Sequence, residues 1–71
     1  MTWLTILHTI PKENYVALLD YCKRAAEQDK TFKFTVKADT IIIESPSRDI
    51  GFKRGALFNY HFQCYYEVVK K

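Results

Sequence analysis

Residues 56–69 constrain the fold of this 71-residue chain most strongly, because apolar and aromatic side chains occupy every second position. Strict alternation over this length predicts a β-strand with one buried face. A helix remains an alternative, since Phe58, Phe62 and Tyr65 also follow helical spacing. The alternating set consists of Ala56, Phe58, Tyr60, Phe62, Cys64, Tyr66 and Val68.

A second pattern, in residues 14–28, predicts an amphipathic helix. Pro11 and Glu13 precede it, and both suit the first turn of a helix, where an N–H is not needed and a carboxylate is favoured. The spacing of the apolar residues predicts one buried stripe. That stripe consists of Tyr15, Leu18, Leu19, Cys22, Ala25 and Ala26.

The remaining segments predict strands and one long connection. Residues 1–10 are rich in β-branched and aromatic side chains, residues 31–38 alternate, and residues 40–44 contain three consecutive isoleucines, all typical of strands. Residues 45–55 hold both glycines and the second proline, which predicts a loop. We therefore expect one α+β domain over residues 1–71, a helix on an antiparallel sheet in the order β-α-β-β-β. If residues 56–69 are helical, the order is β-α-β-β-α.

Several chemical classes find no support in the sequence. The four potential zinc ligands His8, Cys22, His61 and Cys64 contain no close pair of the usual spacing, so we expect no metal. There is no nucleophile elbow and no glycine-rich phosphate loop, which argues against an enzyme and against a cofactor. Two cysteines are too few for a disulfide scaffold and favour the cytoplasm. The apolar runs are also too short to cross a membrane.

Two sets of residues are candidates for binding a macromolecule. If residues 56–69 form a strand, the outer sheet face combines cations with rings, and the loop 45–55 adds a basic cluster. Residues 30–71 carry eight Lys or Arg against four Asp or Glu, which could steer an anionic partner. The face consists of Lys33, Lys37, His61 and Tyr65, joined by Trp3 if the first strand has the matching register, and the cluster consists of Arg48, Lys53 and Arg54.

Three functions follow as hypotheses. The first is a small non-enzymatic protein that binds a larger host protein or nucleoprotein complex stoichiometrically and inhibits it, as small phage or mobile-element proteins do. The second is a nucleic-acid-binding module, because rings stack on bases and cations pair with phosphates. The third is a small toxin-like ribonuclease that uses His61 between Lys33 and Lys37. The aromatic content also admits a homodimer.

Overall fold

Two helices cover one face of a four-stranded antiparallel sheet in a computed structural model that describes residues 2–71. The elements are β1 (Trp3–His8), α1 (Lys12–Gln28), β2 (Lys33–Lys37), β3 (Thr40–Ser45), α2 (Arg48–Phe62) and β4 (Tyr65–Lys70). The strands lie in the order β2-β3-β1-β4, so β1 and β3 are central and β2 and β4 are the edges. This is the β-α-β-β-α-β order of the ferredoxin-like, or split β-α-β, arrangement.

The strand register assigns each side chain to one of two faces. Thr5 lies opposite Ile43 of β3 and Val68 of β4, and Leu7 lies opposite Ile41 and Tyr66. Because directly opposite side chains share a face, these positions form the face that the helices cover. The intervening positions form a second face, which neither helix covers and which we call the open face.

The core lies between the helices and the sheet. Leu18 and Cys22 of α1 and Phe58 of α2 are fully or almost fully buried there. The Tyr21 ring makes an edge contact with the Phe58 ring, their centroids 5.2 Å apart, and Phe62 stacks on Phe58 with centroids 5.9 Å apart. The remaining buried apolar residues are Leu7, Phe32, Ile41, Ile43 and Cys64.

Helix α2 approaches the sheet through glycines rather than through large side chains. Gly51 and Gly55 are both buried, and a Cβ atom at Gly55 would overlap the Tyr66 ring. The Gly51 carbonyl accepts a 3.0 Å hydrogen bond from the buried Thr5 hydroxyl of β1. One turn apart on the helix, the two glycines therefore form a flat strip on which β1 and β4 pack.

The α+β class, the first helix and the strands near residues 31–38 and 40–44 are confirmed. The first strand is also confirmed for the described residues, with Met1 lying outside them. The predicted loop 45–55 is wrong, because Ser47 caps α2 by accepting a 3.3 Å hydrogen bond from the Ile50 amide. The helix continues to Phe62, so the predicted strand is wrong for residues 56–62.

The alternative order β-α-β-β-α therefore describes the first five elements, and β4 is an additional sixth. Helix α2 ends where Gln63 adopts a left-handed conformation with φ of 52°. The Gln63 amide still donates to the Asn59 carbonyl at 3.0 Å. This reversal turns the chain back along β1 and shortens the final strand to residues 65–70.

Candidate functional site

Three of the predicted face residues lie on the open face of the sheet. Lys33 and Lys37 alternate along β2, at one edge, and Tyr65 stands 72% exposed on β4, at the other edge. The predicted position of Trp3 on this face is wrong, because it shares the helix-covered face with Thr5. The predicted position of His61 is also wrong, because residues 56–62 are helical; its ring contacts Tyr60 on α2.

The centre of the open face is aliphatic. Ile6 of β1 lies opposite Ile42 of β3, and Leu4 of β1 lies opposite Val69 of β4. These four side chains form a continuous row across three strands, and each is partly exposed. A row of this kind, on a sheet face that no helix covers, is suited to contact with another macromolecular surface.

Charges of both signs surround this aliphatic row. Lys33 lies opposite Glu44, and the Glu44 carboxylate also forms an ion pair with the Lys71 ammonium at 3.0 Å. On the other side, the His8 imidazole lies 3.1 Å from the Glu67 carboxylate. With Lys37, the open face thus presents three lysines and two carboxylates, so it has no strong net charge.

Arg48 and Trp3 come together at the start of α2, away from the open face. The Arg48 guanidinium lies 5.9 Å from the Trp3 ring centroid and 5.1 Å from that of Phe52. Lys53 is exposed on the same helix. The predicted basic cluster of Arg48, Lys53 and Arg54 is thus dispersed, since a helix points successive side chains in different directions.

The Arg54 side chain points into the molecule and connects α2 with β3 and with the segment between α1 and β2. Its guanidinium donates to the Ser45 hydroxyl at 2.8 Å and to the Glu44 carbonyl at 3.1 Å, and it lies 4.8 Å from the Phe32 ring centroid. It also pairs with Asp29 at 3.1 Å, although hydrogen bonds from Thr31 are the main reason that the pKa of Asp29 is lowered. Arg54 therefore stabilises the fold through donors that are engaged internally, and its role as a binding residue stays a prediction.

The two thiols are buried and unpaired. Burial raises the pKa of Cys22 to about 12, with a smaller contribution from the nearby Cys64, whose own pKa burial also raises. Neither thiol is therefore a nucleophile at neutral pH. Within residues 2–71, no three His, Cys, Asp or Glu side chains are arranged to hold a metal ion. In the same range, neither helix has the length and apolar character needed to cross a membrane.

The sequence analysis missed the aliphatic row and Glu67 as surface residues. A signal for part of the row was present in the three consecutive isoleucines of β3, because a strand that is apolar on both faces has an apolar outer face as well. Val69 has the same parity as Tyr65 in the longer predicted strand, so the alternation already placed it on the outer face. Leu4 and Ile6 were missed because Trp3, of the opposite parity, was assigned to that face. No protein-family model, curated protein or solved structure matches the chain.

Proposed function

We propose that the chain is a small non-enzymatic protein that binds a larger protein, or the protein component of a nucleoprotein complex, through its open sheet face. The observation that carries the proposal is the aliphatic row of Leu4, Ile6, Ile42 and Val69, with charges of both signs around it. Apolar centres with polar rims are the usual anatomy of protein interfaces.

The same arrangement favours a protein partner over nucleic acid. Binding to single-stranded nucleic acid needs several stacking rings and an excess of cations on one surface. The open face offers one exposed aromatic ring, Tyr65, and the carboxylates of Glu44 and Glu67 would repel phosphates. Trp3 and His61, which the nucleic-acid hypothesis required here, lie elsewhere. The ribonuclease hypothesis loses its geometric basis for the same reason, since His61 is not beside Lys33 and Lys37.

Inhibition of a host complex, as by small phage or mobile-element proteins, remains the mode of action within this proposal. Occupying a partner's surface requires no machinery beyond the face itself. The unpaired state of both cysteines supports a reducing compartment such as the cytoplasm.

A capture experiment with one face variant and one control tests the proposal. Ile6→Arg places a charge in the middle of the aliphatic row, whereas Val16→Arg places the same charge on α1 at an apolar residue that is 75% exposed. We expect wild type and Val16→Arg to retain the same proteins from lysate after nuclease treatment, and Ile6→Arg to lose them. Circular dichroism establishes that both variants are folded.

Two results would contradict the proposal. The first is retention of the same partners by Ile6→Arg, which would mean that another surface binds. The second is loss of the captured material with nuclease, together with a steep decline of binding as salt rises, which would indicate a nucleic-acid partner.

A further inference from the structure

We propose that β4 pairs antiparallel with β4 of a second copy, so that two sheets join into one continuous eight-stranded sheet. This inference deepens the proposed function, on which it rests for its biological role. It concerns the outer edge of β4, where residues 65–70 have β1 as their neighbour on one side and, among residues 2–71, no strand on the other.

The two edges of the sheet differ in how they resist another strand. Edge strands are commonly protected by lysines, which repel a second strand. β2 carries Lys33 and Lys37, which would face each other in a self-pairing centred on Thr35. β4 has the sequence YYEVVK, with high β propensity and a single charge before its last residue. β4 is therefore the edge strand that is less protected against pairing with another strand.

The side chains select one register for this pairing. If the helices of both copies lie on the same side, opposite side chains must share a face. Centring on Glu67 would place two carboxylates against each other, which destabilises a strand pair. Centring on Val68 instead places Val68 against its copy, Glu67 against Val69 and Tyr66 against Lys70. This register contains no like-charged pair.

Helix α2 supplies a second contact near the twofold axis that would pass through Val68 of the two paired β4 strands. Gly51 packs directly over Val68, because a Cβ atom there would lie 3.1 Å from Val68 Cγ1. The next residue, Phe52, lies on the flank of α2 opposite to Arg54 and Leu57, which face the groove beside α1. Because Gly51 lies over Val68, that flank is on the β4 side of the helix; there the Phe52 ring, with the Arg48 guanidinium 5.1 Å from its centroid, is still 40% exposed. A twofold axis through Val68 brings the Phe52 rings of the two copies toward each other.

The pairing also addresses the small size of the open face. Four strands about 4.8 Å apart and about five residues long give a flat area of about 300 Å². A standard protein interface buries about 800 Å² on each partner. A continuous eight-stranded sheet doubles the open face and sets the two aliphatic rows side by side, because Val69 is next to the seam.

Sedimentation equilibrium on the purified full chain tests the inference. We expect a concentration-dependent mass that approaches twice 8.4 kDa. Phe52→Glu should weaken the dimer about tenfold or more, since it places two carboxylates at the axis. Tyr60→Glu is the matched control, because Tyr60 is 80% exposed on the same helix and points away from the sheet. It should leave the mass unchanged.

Hydrogen exchange on the wild-type chain gives an independent measurement if Phe52→Glu does not fold. The β4 amides that point away from β1 should become protected as concentration rises, and those of β2 should not. A mass of 8.4 kDa up to about millimolar concentration would overturn the inference. So would a dimer that Ile6→Arg disrupts and Phe52→Glu does not, which would indicate contact between the two open faces.

These results are separable from those that bear on the proposed function. Ile6→Arg should abolish partner capture and leave the dimer intact. If the purified chain dimerises as described but no partner depends on Ile6, the proposed function fails and the dimer stands. If the chain is monomeric but Ile6→Arg still loses its partner, the dimer fails and the proposed function stands.

Discussion

Replacing Gly55 with alanine tests the close approach of α2 to the sheet. A Cβ atom at this position would lie 2.7 Å from Cγ of Tyr66, and nearer still to Cδ2 and Cε2. The Tyr66 ring cannot easily move away, because its backbone is paired with β1 opposite Leu7. Either the ring must change rotamer or the helix must rise from the sheet, and both responses disturb the buried contacts around Phe58.

The expected magnitude follows from two opposing terms. Overpacking a well-packed site costs about 1–3 kcal/mol, and three overlapping ring atoms argue for the upper end. Alanine in place of glycine within a helix contributes about 1 kcal/mol in the other direction. We therefore expect Gly55→Ala to lower the free energy of unfolding by about 2 kcal/mol. For a domain of this size, that corresponds to a decrease in Tm of about 10 °C.

Urea denaturation followed by far-UV circular dichroism measures this change, and a second background isolates its cause. In a Tyr66→Ala chain the obstruction is absent, so Gly55→Ala should stabilise by about 1 kcal/mol. The two backgrounds then differ by about 3 kcal/mol, a coupling energy that a double-mutant cycle reports. A Gly55→Ala variant as stable as wild type, with Tyr66 present, would refute the reasoning.

Gly51→Ala should change stability by less than about 0.5 kcal/mol, because its nearest contacts of 3.1 and 3.3 Å are only slightly tight and the helix gain offsets them.

Three further predictions concern the buried Cys22 thiol, the partly buried Arg54 side chain and the Ser47 cap of α2. The pKa of Cys22 rises from 9.0 in the unfolded chain to about 12 in the fold. The stability that the buried, protonated thiol contributes is therefore complete below pH 9 and is lost as the pH rises toward 12. Between pH 8 and pH 10, wild type should lose about 1 kcal/mol more than Cys22→Ala in urea denaturation, and equal losses would contradict a buried thiol. Arg54→Met should cost about 2–3 kcal/mol by leaving the buried Ser45 hydroxyl and the Glu44 carbonyl without their donor, whereas Lys53→Met should cost less than about 0.5 kcal/mol. Ser47→Ala should lower stability by about 1 kcal/mol in the same assay, since it removes the cap of α2, and an unchanged midpoint would show that the cap contributes nothing.

The first half of the fold could be predicted from the sequence because large apolar side chains mark the core-facing side of each element there. In α1, Leu18 and Cys22 lie on the predicted stripe and are buried. Phe34 and Val36 lie on the predicted inner face of β2, and the three isoleucines of β3 correctly indicated a central strand. Side-chain period is informative when large side chains contact the core, as they do in these elements.

The second half could not be predicted in the same way, because α2 contacts the sheet through Gly51 and Gly55. These residues leave no apolar stripe at helical spacing, and glycine also has low helix propensity, so residues 45–55 resembled a loop. The alternation of Phe58, Tyr60 and Phe62 then suggested a strand, although Phe58 alone is fully buried and Tyr60 is largely exposed. The capping pattern of Ser47 with Ile50 was the available local signal.

The error about α2 also explains why the candidate surfaces were misplaced. Counting residues 56–62 as a strand moved His61 onto the sheet and gave the outer face the character of a nucleic-acid platform. As a helix, the same segment removes that ring and leaves Leu4, Ile6, Ile42 and Val69 as the centre of the open face. The chemistry expected of the surface therefore changed from stacking and phosphate binding to apolar contact.

The glycine contact has a further consequence for the surface of the molecule. At Gly51 and Gly55 the helix lies so close to its sheet that there is no room for larger side chains, since a Cβ atom at Gly55 would overlap the Tyr66 ring. Further along α2 the inner face carries the buried Phe58, whereas Phe52 lies on a flank and Tyr60 on the outer side, and both are exposed. The Phe52 ring remains 40% exposed although the Arg48 guanidinium lies 5.1 Å from its centroid, and the second copy that we propose would cover it further. The close packing inside one chain and the contact between two chains therefore depend on the same pair of glycines, and a variant that lifts α2 from the sheet should weaken both.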